Sequence, residues 1–344
     1  MTGPARIAVV GAGLVGRRHA ALIAASPAAE LAGIADPAPD LHLAPPVYDD
    51  ITALIAAERP DGVIIATPNH LHAAHAEAAL SAGIPALIEK PLSDRVATAR
   101  RIAELSESSG IPVLVGHHRR HNPRIVRARE IIESGALGRI VAVNALFWIY
   151  KPDDYFRQDW RRQRGAGPVF INLIHDIDLL RHLCGEIASV QAIDSSAIRG
   201  FEVEDTAAAL LRFRSGALGT ITASDTAVAP WSWELTAGEN PAYPQTDEPC
   251  YLIAGTHGAL SLPTADLWHA PGARSWWEPI DVRANPVEDA DPLERQLAHF
   301  IAMIREGAAP LVPASEGLRS LEVIEALKRA AAEGGTAPVG GSAA

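Results

Sequence analysis

Cysteine is nearly absent from this chain. Cys184 and Cys250 are the two among 344 residues, and so distant a pair gives neither a disulfide framework nor a zinc-knuckle spacing. Long apolar runs are missing too. Hydrophobic residues make up 48%, yet no stretch approaches the ~20 residues that span a bilayer. The start, from Met1 to Arg6, lacks the n-region and h-region of a signal peptide. A cytoplasmic protein with no membrane association is expected. Positive charge is in deficit, 30 Lys and Arg against 41 Asp and Glu, for a net charge of −11. Such a chain lacks the basic footprint that follows a phosphate backbone, so no nucleic-acid partner is expected.

Aromatic residues are scarce at one end. Tyr48 is the sole aromatic before Phe147, and all seven tryptophans come later. The length suggests about two domains, and this compositional step separates them. The first part is rich in Ala, Ile and Val and alternates strand and helix signals, the pattern of a parallel sheet covered on both faces. Strands are predicted at Ile7–Val10, Leu31–Ala35, Val63–Ala66, Pro85–Ile88 and Pro112–Val115. Helices are predicted from the glycine turn to about Ala25, over His70–Ser81, stopped by Gly83, and near Asp94–Ser108, ending at Gly110. The later part has longer alternating runs. Ala207–Phe213 and Ala217–Ala223, joined through Ser215-Gly216, read as a β-hairpin. Trp231-Ser232-Trp233 alternates, which puts both rings on one sheet face.

The polar residues of the first part collect at the carboxyl ends of its strands, where open α/β sheets bind ligands. Gly11-Ala12-Gly13-Leu14-Val15-Gly16 lies between a strand and a helix. Gly11 permits the tight turn, Gly13 lets backbone approach a pyrophosphate, and Gly16 permits close helix–strand packing. The motif is weak alone and stronger in this strand–turn–helix context. Asp36 follows Gly16 by 20 residues. A carboxylate there accepts from a ribose hydroxyl and repels a 2′-phosphate, so NAD is expected in preference to NADP. The plainer reading of Asp36-Pro37 is a turn.

Two groups suit proton chemistry. Lys90, in Glu89-Lys90-Pro91, ends an apolar strand, where an ammonium can polarise a hydroxyl or carbonyl oxygen; the plainer reading is a surface lysine paired with Glu89. Asn172, His175 and Asp178 fall at i, i+3 and i+6 on a predicted helix and share roughly one side of it. His175 can take a hydroxyl proton, or it can be a histidine held by Asp176 or Asp178 in a helix interface. His118 lies in a basic stretch after the fifth strand and suits substrate contact, whereas Arg119 and Arg120 read as junction residues. His70, His72 and His75 lack the i, i+4 spacing of a zinc helix, and no metal site is expected.

Taken in order, the glycine motif with His19, Thr67-Pro68-Asn69-His70-Leu71-His72, Glu89-Lys90-Pro91, the Gly116 to Pro123 stretch, Trp160-Arg161 and Gly165-Ala166-Gly167 through His175 to Asp178 resemble the Gfo/Idh/MocA oxidoreductase family, over nearly all of the chain. The resemblance implies an α/β Rossmann domain plus an α+β domain with an open, mostly antiparallel sheet. It implies NAD(P)-dependent hydride transfer at CH–OH groups of sugars, inositol and related polyols. By position, it makes Lys90 and His175 the catalytic pair, with Asn172 beside them. It has Thr67, Pro68, Asn69, His72, Glu89, Lys90, Trp160 and Arg161 meet the cofactor, and Lys90, His118, Asn172 and His175 meet the substrate. It also implies a cis Lys90-Pro91 bond. One departure stands out: many members carry a carboxylate at the position of Ile171, and here the polar residue is Asn172, one later.

The expected division is residues 1–121 for cofactor, 122–312 for substrate and oligomerisation, 313–334 as a C-terminal helix near the domain junction, and 335–344 as a flexible tail. An open sheet face leaves apolar surface to cover, so a homo-oligomer, dimer or tetramer, is expected through the C-terminal sheet. Three other readings remain: a dehydrogenase of a carboxylated cyclic cis-diol of the aromatic dihydrodiol type, a non-catalytic NAD-binding sensor, and a hydrolase or lyase using transient oxidation.

Overall fold

A computed structural model describes residues 3–37 and 45–340. The chain runs β1 (Ala5–Val10), α1 (Leu14–Ala25), β2 (Ala29–Ala35), β3 (Val47–Tyr48), α2 (Ile51–Glu58), β4 (Gly62–Ile65), α3 (His72–Ser81), β5 (Ala86–Ile88), α4 (Val96–Ser109) and β6 (Val113–Val115). It continues through α5 (Pro123–Glu133), β7 (Ile140–Trp148), α6 (Pro168–Ile171), α7 (Leu173–Cys184), β8 (Ile187–Ser195), β9 (Thr206–Phe213), β10 (Leu218–Ser224) and α8 (Trp233–Thr236). Strands β11 (Tyr251–Gly255), β12 (Gly258–Leu262), β13 (Asp266–His269) and β14 (Asp281–Arg283) follow, then α9 (Pro292–Glu306), α10 (Ala314–Glu333) and β15 (Thr336–Pro338). Among the described residues no helix is long and apolar enough to cross a membrane.

Two compact units form. The first holds residues 1–121 and 291–321, the second 122–290 and 322–344. In the first unit the sheet order is β3-β2-β1-β4-β5-β6, with every pair parallel. Ile7, Val9, Val63, Ile64, Leu87 and Ile88 are wholly buried, as expected of strands covered on both faces. The order reverses direction between β1 and β4, which opens a crevice at their carboxyl ends. Asp50 starts α2 by accepting from the backbone N–H groups of Thr52 and Ala53 at 2.7 and 2.9 Å. Neither β3 nor α2 is predicted from the sequence.

The second unit is built on a nine-stranded sheet, β14-β13-β12-β11-β7-β10-β9-β8-β15. The β7–β10 pair is parallel and the other pairs are antiparallel. The predicted hairpin is β9–β10, with Leu218 opposite Arg212 and Ser224 opposite Thr206. Helix α7 is buried along almost its whole length, as an apolar-sided helix inside a domain must be. Its Asp176 is fully buried and accepts from the Tyr251 hydroxyl. Tyr251 in turn stacks on Trp233 at 5.7 Å.

Three expectations need correction. Residues 291–312, expected in the second unit, belong to the first. Phe300 of α9 is fully buried, and a Cβ on Gly62 of β4 would meet its Cζ at 3.0 Å. Along the chain the second division between the units falls inside α10, the helix expected near the domain junction. Gly317 in its first turns lies against Val115 and Leu92, while Lys328 further along lies 4.3 Å over the Phe170 ring. The flexible tail expected at 335–344 contains β15, which pairs with β8 through Ala337 and Val190; residues 341–344 lie outside the described residues. Trp231 and Trp233 do not share a sheet face: Trp233 opens α8 and meets Tyr251, whereas Trp231 lies edge-on to Trp148.

Replacing Phe300 by Ala should destabilise the first unit by about 3–5 kcal/mol, read from urea unfolding. A loss below about 1 kcal/mol would contradict the packing of α9 under β4.

Candidate active site

The first unit's crevice begins where β1 turns into α1. Gly11 sits at φ +94°, and a Cβ there would lie 2.8 Å from the Ala66 backbone. A Cβ on Gly16 would fall 1.8 Å from the Gly11 carbonyl oxygen. Both glycines are therefore demanded by close backbone packing. At Gly13 a Cβ would meet nothing within 4 Å, so backbone there is open to a ligand at the head of α1. The cleft holds about 660 Å³ and is lined by Gly13, Leu14, Val15, Asp36, Thr67 and Pro68 among others. Leu14 is 83% exposed at its rim, an apolar surface that a bound ligand can cover. The Asp36 carboxylate accepts the Ala12 N–H at 2.6 Å and so fixes the glycine turn while carrying negative charge into the cleft.

The open backbone, the helix N-terminus and the carboxylate together fit a dinucleotide: Gly13 and α1 at the pyrophosphate and Asp36 at the ribose. Thr67 hydrogen-bonds His75 through its Oγ1 at 3.0 Å. Asn69 opens the short helical turn before α3. His72 does not line the cleft. It is fully buried, and its ring nitrogens face Thr67 O at 2.9 Å and Pro91 O at 3.0 Å. It therefore fastens the β4 loop to the loop that carries Lys90.

Glu89 also ties elements together. It is buried, and its Oε1 lies 2.8 Å from His19 Nε2 of α1. Burial pushes its carboxyl up, but the His19 hydrogen bond and the charges of His19, His118 and Lys90 prevail and draw it down to about 2. A Cβ on Gly116 would lie 2.8 Å from Glu89 Oε2, so the end of β6 seals the other side. Lys90 follows at the carboxyl edge of β5, half-buried, with its peptide bond to Pro91 cis as expected. His118 starts a helical turn after β6 and is half-buried. Arg120 is buried in an ion pair with Glu316 of α10 at 2.9 Å, within the first unit.

The second unit holds Asn172 and His175. Asn172 does not lie along one helix with His175. The helix breaks there: α6 ends at Ile171, α7 begins at Leu173, and Asn172 is the joint. Its backbone carbonyl accepts the His175 N–H at 3.0 Å, which puts the two residues one turn apart. Asp176 is engaged by Tyr251. A residue that sequence reasoning missed, Lys151, donates from Nζ to Asn172 Oδ1 at 2.8 Å. It is buried, and burial lowers its pKa against the opposing pull of Asp225, whose Oδ2 lies 3.6 Å away. No local pattern marks it; it is one lysine just past a strand. Trp160 and Arg161 lie on a separate helical turn. Trp160 is half exposed, and the Arg161 guanidinium lies 4.0 Å over the Tyr155 ring.

Comparison with known proteins agrees with these features. Residues 5–117 match the oxidoreductase family with an NAD-binding Rossmann fold, and residues 125–261 match the GFO/IDH/MocA C-terminal domain. The chain belongs to the Gfo/Idh/MocA family. It is an oxidoreductase with an NAD-binding first domain. It is 27% identical over 334 residues to the rhizopine catabolism protein MocA of Rhizobium meliloti, covering 93% of each. It is 26% identical to inositol 2-dehydrogenase of the same species, over 95% of this chain and 97% of that one. Among solved structures, the WlbA dehydrogenase of Bordetella pertussis in complex with NADH and UDP-GlcNAcA is 25% identical, with a TM-score of 0.79, over 98% of this chain and 100% of that one.

The Glu89 carboxyl lies below its ordinary 4.5 in the folded state. Its stabilisation is therefore complete above about pH 4.5 and is lost as pH falls towards about 2. Replacing His19 by Ala should raise that carboxyl, cost about 1–3 kcal/mol at neutral pH by removing a partner of a buried charge, and move acid unfolding to higher pH in a circular dichroism titration. An unmoved acid midpoint would refute this role for the pair.

Proposed function

We propose that this chain is an NAD-dependent dehydrogenase that oxidises a secondary hydroxyl of a sugar, inositol or related cyclic polyol in the cytoplasm. The observation that carries the reading is the glycine cleft, with Asp36 in it and Lys90 fastened to its Thr67 loop through His72. The names of the similar proteins, MocA and inositol 2-dehydrogenase, support the substrate class.

Bound NAD supplies the acceptor for the substrate's hydride. The chain's own residues do the rest. Lys90 holds the reacting oxygen through its ammonium, which favours developing negative charge there. His175 takes the hydroxyl proton on its imidazole. Asn172 binds a neighbouring group of the substrate. Trp160 and Arg161 contact the cofactor or substrate, as does His118. Asp36 favours NAD, because its charge opposes a 2′-phosphate.

Lys90→Met and His175→Ala should each lower kcat by about 10²–10⁴-fold while NADH affinity, read by fluorescence titration, stays within about twofold. NADH formation should be screened with NAD and NADP over sugars, inositols and cyclic diol acids. Unchanged turnover in both variants would refute the catalytic pair, and equal use of NADP would refute the role of Asp36.

The nine-stranded sheet also supports a homo-oligomer. Ile193, Leu210, Leu218, Leu252, Trp268 and Val282 are exposed, and the strand register puts them on one face. Light scattering should give a dimer or tetramer of the 36.4 kDa chain, and Leu252→Glu with Leu210→Glu should yield monomer. A wild-type monomer would rule this out.

A further inference from the structure

The Lys151–Asn172 hydrogen bond restricts what Asn172 can offer. An ammonium has donors and no acceptor, so the amide must turn its oxygen toward Nζ, at 2.8 Å. The NH2 end of the amide is then the end left to face another partner. The lysine is itself held from several sides. Its Nζ lies 4.9 Å over the Tyr155 ring and 3.6 Å from Asp225 Oδ2. Arg199 pairs with Asp225 at 2.9 Å and donates to the Lys151 carbonyl at 2.8 Å. Asp225 thus serves two cations at once, with Glu234 contributing at longer range.

We infer that Lys151 makes Asn172 a hydrogen-bond donor toward the substrate, and that the substrate presents an unprotonated anionic oxygen there, a carboxylate. The inference rests on the reading that Asn172 faces the substrate. A carboxylate only accepts, which suits an amide NH2 with an ammonium behind it. A hydroxyl can accept the same hydrogen bond but gains nothing from the charge. Lys151 is a positioning residue in this scheme: it acts through Asn172.

The test is calorimetric binding to the full chain with NADH present, using matched probes. Quinate and myo-inositol form one pair, D-glucuronate and D-glucose another. The carboxylated member of a pair should bind at least about tenfold more tightly. Lys151→Met should erase that preference, Lys151→Arg should restore part of it, and Asn172→Asp should reverse it by placing an acceptor in the site. Asn172→Asp keeps a partner for the lysine, so it carries the test even where Lys151→Met does not fold. Neutral probes binding as tightly as their acids, an absence of acid binding, or a preference that survives Lys151→Met would each overturn the inference. NADH formation with NAD is scored separately. Charge-dependent binding with no turnover on any probe would sink the dehydrogenase reading and leave this inference standing.

Discussion

The buried carboxylate of Glu89 is the constraint on which the first unit's site depends. A charge taken out of water is tolerated only with partners that replace its hydration. Here those partners come from three separate elements: His19 of α1 donates to it, Lys90 and His118 add positive charge, and Gly116 leaves the room for it. The same α1 begins at the glycine turn. Satisfying one carboxylate therefore fixes the helix whose N-terminus faces the cleft relative to the strand tip that carries Lys90. Removing any partner leaves a costly charge, so the arrangement is cooperative rather than a sum of independent contacts.

Much of this was legible in the chain itself. Strands buried on both faces need continuous apolar residues, and glycines forced by backbone contact cannot be replaced, so β1, β4, β5 and the turn at Gly11 leave local marks. The β9–β10 hairpin does too, through its alternation and Ser215-Gly216. What escaped is set by contacts remote in sequence. The attachment of α9 to the first unit depends on Phe300 meeting Gly62, and nothing near Phe300 announces it. The pairing of β15 with β8 turns a glycine-rich tail into an edge strand. His72 sits in a motif that suggests cofactor contact, yet it is fully buried and its ring faces the backbone carbonyls of Thr67 and Pro91.

The joint at Asn172 illustrates a different limit. The periodicity of Asn172, His175 and Asp178 suits one continuous helix, and propensity does not oppose it. The structure instead spends the residue as a break between α6 and α7. The residue at this break is the one whose amide oxygen accepts from Lys151. Spacing alone could not show that, because the lysine comes 21 residues earlier in the chain.

Stability offers no reason for Lys151 to be where it is. Burial works against its charge, which the direction of its pKa records. Its carboxylate partner at 3.6 Å is shared with Arg199, which holds it more closely at 2.9 Å. An apolar side chain of similar volume would fill the same space without that desolvation, and replacing buried ion pairs in this way is often neutral or stabilising. The apolar alternative would, however, leave the Asn172 amide free to flip, so that either end could face outward. What the ammonium adds is orientation. A group that weakens the fold's energetics while fixing the polarity of one neighbouring hydrogen bond is best accounted for by what that hydrogen bond recognises.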